Sequence, residues 1–101
     1  MLERFYIKSS DVKDVLSFYP NQNSKVLVLF VNRPCDFKSE NKNIRCISMS
    51  NTEIRSVLAG RDYTDLIVYG YDDLDTFEKS FVLSRFRSMT EYTFRLYLVK
   101  D

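Results

Sequence analysis

Hydrophobic and polar positions fall into short blocks along the chain, and each block predicts one element. Leu2–Lys8 has the two-residue period of a strand, with Phe5 and Ile7 on one side and Arg4 and Tyr6 on the other. Ser9, Ser10 and Asp11 form a helix N-cap signal. Val12, Val15, Leu16 and Tyr19 follow at helical spacing, and Pro20 closes the turn. Residues 25–31 are a nearly unbroken apolar run, the pattern of a strand buried on both faces or central in a sheet. Residues 32–43 are polar, contain Pro34 and read as a flexible loop. Ile44–Met49 is a short strand, and Ser50 with Glu53 has capping-box spacing for a helix that buries Ile54, Val57 and Leu58 and stops at Gly60.

The second half repeats the alternation. Residues 64–71 read as a strand, with Leu66 and Val68 on one side and Ile67, Tyr69 and Tyr71 on the other. Asp72 and Asp73 are expected to cap a helix over 73–89, where acids favour the positive end of the dipole. Its buried stripe is Leu74, Phe77, Phe81, Val82, Phe86 and Met89; Glu78 and Arg85 fall inside that stripe and Leu83 outside it. Residues 92–99 are the last strand, with Tyr92, Phe94, Leu96 and Leu98 opposite Arg95 and Tyr97.

The order β-α-β-β-α-β-α-β predicts a single α+β domain over residues 1–101. Its expected sheet has about five strands in mixed or antiparallel pairing, with helices packed on it. The first six elements match the ferredoxin-like order, so the expected fold is a ferredoxin-like variant with a helix and a strand added.

Composition narrows the chemistry. The 101 residues carry a net charge of +1 and no His. That removes Ser-His-Asp and Cys-His devices and imidazole metal ligands. Two isolated glycines leave no phosphate-cradling loop, so no catalytic residues and no cofactor are expected. The N-terminal residues lack a basic start followed by an apolar run, and no apolar stretch is long enough for a membrane span. The expectation is a cytoplasmic protein that does not engage membranes. Cys35 and Cys46 read as free thiols; Cys46 is a small buried hydrophobe, and Cys35 beside Arg33 would favour a thiolate.

Three surfaces carry candidate function. If helices cover one sheet face, the other shows Arg4, Tyr6, Ile67, Tyr69, Tyr71, Arg95 and Tyr97. Tyr and Arg are interface hot-spot residues, and they also stack on bases and hold phosphates. The bland alternative is a second core layer covered by the helix at 73–89. Arg85, Arg87, Arg95 and Lys100 form a basic patch, opposed by Asp72, Asp73, Asp75 and Glu78 at the other end of the same helix. Asp65, Asp72 and Asp73 are the candidates for a metal-dependent enzyme.

The leading expectation is a non-catalytic protein interaction or inhibitor module that binds another protein or forms a homodimer. Its partner-binding residues would be Tyr6, Tyr69, Tyr71, Arg85, Arg87, Arg95 and Tyr97. The AT-rich-genome character of the composition, rich in Asn, Lys, Ser, Tyr and Phe and with Ala59 its only alanine, associates it with phage or virus accessory proteins acting on host factors. Nucleic-acid binding by the Tyr/Arg face is the alternative, and a small metal-dependent enzyme the second.

Overall fold

Every strand runs parallel to its neighbours in the computed structural model. The structure describes residues 2–17, 24–36, 39–50, 53–58, 63–87 and 94–100, excepting the side chains of 85–87. The strands are β1 (Leu2–Lys8), β2 (Val26–Val31), β3 (Ile44–Met49), β4 (Asp65–Tyr69) and β5 (Phe94–Lys100). The helices are α1 (Val12–Ser17), α2 (Ile54–Leu58) and α3 (Thr76–Arg87). Single turns of tighter helix precede α1, at Ser9–Asp11, and α3, at Tyr71–Asp73.

The sheet order is β1-β5-β4-β2-β3. From the edge strand β1 the chain crosses to β2 and steps outward to β3, then returns to β4 and β5. Right-handed crossovers in opposite directions lie on opposite faces of a parallel sheet. The packing obeys this. Val12 and Leu16 of α1 cover one face with Val26, Val28, Phe30, Ile67, Tyr97 and Val99. Ile54 and Leu58 of α2 and Val82 of α3 cover the other, over Leu27, Leu29, Leu66, Val68, Leu96 and Leu98. Both faces of β2 are therefore buried along its whole length, as its unbroken apolar run required.

Helices packed on a five-stranded sheet were expected and are observed. The mixed or antiparallel pairing and the ferredoxin-like order are not. The misleading segment is 32–43. It reads as a flexible polar loop with no helix signal, but its dozen residues suffice for a parallel crossover.

Register decides which side chains share a face. One row crosses the sheet as Phe5, Tyr97, Ile67, Val28 and Cys46, under α1. The adjacent row is Tyr6, Leu98, Val68, Leu29 and Ile47, on the α2 and α3 side. So the expected grouping of Arg4 and Tyr6 with Ile67, Arg95 and Tyr97 is corrected: β1 enters with the opposite parity. The expected cover is corrected as well, because α1, and not α3, lies over Tyr97.

Helix boundaries follow local hydrogen bonds. Ser50 N–H and its hydroxyl both donate to Glu53 Oε1, at 3.2 and 2.7 Å, the reciprocal half of a capping box. Those bonds hold the Glu53 carboxyl below its ordinary range. The cap of α3 is Asp75, whose Oδ1 accepts from Glu78 N–H at 2.8 Å. Asp72 and Asp73 were the expected caps; they lie in the preceding tight turn instead. On α3, Phe77 is exposed and Leu83 packs against the core, both contrary to the expected stripe. Glu78 is mostly buried and reaches Arg55 at 3.8 Å. The expected roles of Tyr19, Pro20, Gly60, Met89 and Tyr92, and of the Phe86 side chain, lie outside what is described.

Candidate interaction surface

The seven expected partner-binding residues do not form one surface. Tyr97 is buried under α1 with its ring stacked on Phe5, centroids 5.0 Å apart. Tyr69 is half-buried and lies face to face with Phe30 at 4.4 Å and 7°. Both rings are core components, the second-layer role. Arg95 sits at the amino end of the sheet, where its guanidinium approaches the fully buried Asp65 at 3.6 Å. Arg85 and Arg87 lie on α3, with side chains outside what is described.

Tyr6 and Tyr71 do come together, on the opposite face. Strand β4 ends at Tyr69, and Gly70 takes the left-handed conformation, φ 82°. The tight turn that follows brings Tyr71 against the α3-side core instead of leaving it beside Tyr69. There it feels Arg4 and Tyr6 electrostatically. Burial, more than these neighbours, raises the Tyr71 hydroxyl above its ordinary value; Arg4 opposes the shift, while Tyr6 and Asp72 add to it. Lys79 lies over the Tyr71 ring at 5.4 Å, and Lys100 over the Tyr6 ring at 4.9 Å. Arg4, Tyr6, Tyr71, Lys79 and Lys100 thus form an aromatic and cationic patch. Tyr6 remains 59% exposed at its centre.

The patch borders the open edge of the sheet. Among the described residues, strand β1 pairs with β5 alone, and its residues 4–6 are all exposed. Phe5, Tyr6 and Phe77 are the large apolar side chains exposed among the described residues, and two of them are neighbours on this edge. Arg55 covers Phe77 at 3.9 Å, which leaves β1 the more open apolar surface.

The carboxyl ends of β2 and β4 form the second candidate. The crossover direction changes beside these strands, the position where open parallel sheets usually bind ligands. A cavity of about 270 Å³ there is lined by Arg33, Gly70, Asp72, Asp73, Val99 and Lys100. Another of about 300 Å³ is lined by Ser9, Val12, Lys13, Asp36 and Tyr69. In the first, Arg33 lies 3.8 Å from Asp73, and Lys79 reaches Asp72 at 3.8 Å from outside the lining. With Arg33 and Lys100 balanced by Asp72 and Asp73 in its lining, and no exposed aromatic ring in it, this crevice ranks behind the patch.

The other candidate chemistries are dispersed. Asp65 opens β4 while Asp72 and Asp73 follow its far end, so the expected metal trio spans the length of a strand. No group of three His, Cys, Asp or Glu among the described residues could hold a metal ion. Cys35 is exposed, but partial burial and Asp36 raise its thiol above the ordinary value, which corrects the expected thiolate. Cys46 is half-buried against the α1-side core. Burial, with Cys35 adding, pushes its thiol up from 9.0 to about 11. Folding therefore holds this proton, and the resulting stability, present below pH 9.0, is lost as pH rises through about 11. Below pH 9 the thiolate fraction of Cys46 is reduced roughly 100-fold by this shift. Alkylation with iodoacetamide at mildly alkaline pH is expected to be correspondingly slow. Equal rates with and without denaturant would contradict the burial.

Comparison of the chain with family models, with curated proteins and with solved structures finds no match. No helix among the described residues is long and apolar enough to cross a membrane.

Proposed function

We propose that this protein is a small, non-catalytic interaction or inhibitor module of the cytoplasm, of the kind that phage and virus accessory proteins supply against host factors. The partner is another protein. It docks on the patch of Arg4, Tyr6, Tyr71, Lys79 and Lys100. The observation that carries this reading is Tyr6, an exposed aromatic ring with a lysine over one face, on the strand that forms the sheet edge among the described residues. Burying such a ring removes large apolar area from water while its hydroxyl keeps a polar partner. The surrounding cations favour an acidic complement and speed its encounter.

A tagged pull-down from source-cell lysate, with and without nuclease, tests the reading. A protein that survives nuclease and is lost with Tyr6→Ala and Arg4→Glu is the expected result. With the captured protein purified, Tyr6→Ala alone is expected to weaken binding by roughly 30-fold, the size of a hot-spot loss. Retention that disappears on nuclease treatment would move the patch to nucleic acid, where the same rings and cations stack on bases and hold phosphates. Binding indifferent to both substitutions would remove the patch from the reading.

A further inference from the structure

We propose that β1 pairs antiparallel with β1 of a second copy, about a two-fold axis through Phe5, joining two five-stranded sheets into one. The pairing does not rest on the partner reading, although Arg4 and Tyr6 belong to both surfaces. It starts from a strand that, among the described residues, pairs with β5 alone and so turns its other side away from the sheet. Natural edges are usually blunted by Pro, by bulges or by short length. Strand β1 carries the charges of Glu3, Arg4 and Lys8, but it has seven residues, no Pro and the apolar run Phe5, Tyr6 and Ile7 in its second half. The other edge, β3, shows no large exposed apolar side chain.

The sequence of β1 selects the register. A two-fold axis perpendicular to the sheet keeps every residue on its own face, so residues of like parity meet. With the axis at Arg4, two guanidinium groups would oppose each other. With the axis at Tyr6, Arg4 would face Lys8. Directly opposed like charges destabilise a strand pair, so both registers are disfavoured. With the axis at Phe5 the full Leu2–Lys8 strand overlaps, and no like charges are opposed. Arg4 then meets Tyr6 of the second copy, a cation against a ring face. Glu3 meets Ile7, and Leu2 meets the aliphatic stem of Lys8. Phe5 meets Phe5, extending the stack already made with Tyr97 at 5.0 Å into a row of four rings. Phe5 is 37% exposed, which leaves ring surface for this row to cover. The dimer also sets two Tyr6 and Tyr71 patches side by side on one face, which gives a bivalent surface.

Sedimentation equilibrium of the whole chain is the first test. The expected mass is twice 12.0 kDa, reached at protein concentrations of roughly 100 μM, where even a small interface of micromolar affinity associates. Phe5→Lys places like charges on the axis and is expected to return the chain to a monomer with an unchanged far-UV spectrum. A chain in which Cys35 and Cys46 are replaced by Ser and Ala tests the register. Opposed residues of an antiparallel pair lie within disulfide reach. Phe5→Cys in that background is expected to cross-link on oxidation, and Arg4→Cys alone is not. A monomeric mass at every concentration overturns the dimer, while the partner-capture experiment on Arg4 and Tyr6 still decides the patch. A dimer that resists Phe5→Lys, or that cross-links through Arg4→Cys instead of Phe5→Cys, overturns the assigned pairing.

Discussion

Phe30→Ala is expected to lower the unfolding free energy by about 4 kcal/mol. Phe30 is 1% exposed in β2, between two neighbouring strands. Its ring lies on Tyr69 at 4.4 Å and joins the core that Val12 and Leu16 of α1 close. Removing it deletes the transfer energy of a phenyl group. It also leaves a cavity whose walls are strands held by backbone ladders on both sides, and such walls relax little. The aromatic stack adds about 1 kcal/mol beyond buried area. For a domain with a typical stability of about 5–15 kcal/mol, this is a large share. Urea unfolding reads it as a shifted midpoint with unchanged slope. Tyr69→Phe keeps the ring and is expected to move the midpoint little. A loss under about 1 kcal/mol for Phe30→Ala would mean that the α1-side layer is not a packed core, since core Phe truncations run about 3–5 kcal/mol. Tyr69 and Tyr97 would then return to the list of surface candidates.

That second layer explains why the fold was only partly legible from sequence. A strand covered on one face alternates, and a strand covered on both does not. The run from Val26 to Val31 therefore announced its two-sided burial directly. Ile44–Met49 and the Ser50 to Glu53 spacing were equally plain, because strand period and cap chemistry are local. Direction and register are not local. Nothing within Leu2–Lys8 states that Phe5 aligns with Tyr97 and Tyr6 with Leu98. A one-residue change of register exchanges the faces of every side chain on the strand. The expected tyrosine face failed on that point, and it split into a pair packed on the α1 side, Tyr69 half-buried and Tyr97 buried, and an exposed group around Tyr6. Asp75 could have been found as the cap of α3. It stands three residues before Glu78, with Pro-free helical sequence following, but Asp72 and Asp73 carried the same signal slightly earlier.

Gly70→Ala is expected to destabilise the fold by about 2–3 kcal/mol, from two sources that add at one backbone position. The first is conformation. At φ 82° an L side chain costs about 1–2 kcal/mol, whereas glycine occupies this region freely. The second is space. A Cβ at residue 70 would stand 2.9 Å from the Val31 carbonyl oxygen, a backbone atom fixed at the end of β2. The Arg33 guanidinium, 3.2 Å away, can swing aside, but the carbonyl cannot without loosening the β2 and β4 ends together. Gly70→Asn separates the two sources. Asn tolerates the left-handed region, so it should recover the conformational part and keep the contact with Val31. The same substitution also probes the candidate surface. Only the reversal at Gly70 places Tyr71 on the face of Arg4 and Tyr6, with Asp73 N–H returning to the Gly70 carbonyl at 2.9 Å to close the turn. A distorted turn should therefore weaken partner binding by more than the loss of folded population accounts for, while β1, whose backbone is held by β5 and not by the turn after β4, keeps its capacity to pair. Thermal unfolding and titration of the captured partner, both on Gly70→Ala, check the two halves. A melting temperature equal to that of the unaltered chain would show that the turn yields without cost. Full partner affinity in a destabilised variant would show that Tyr71 contributes nothing to the patch.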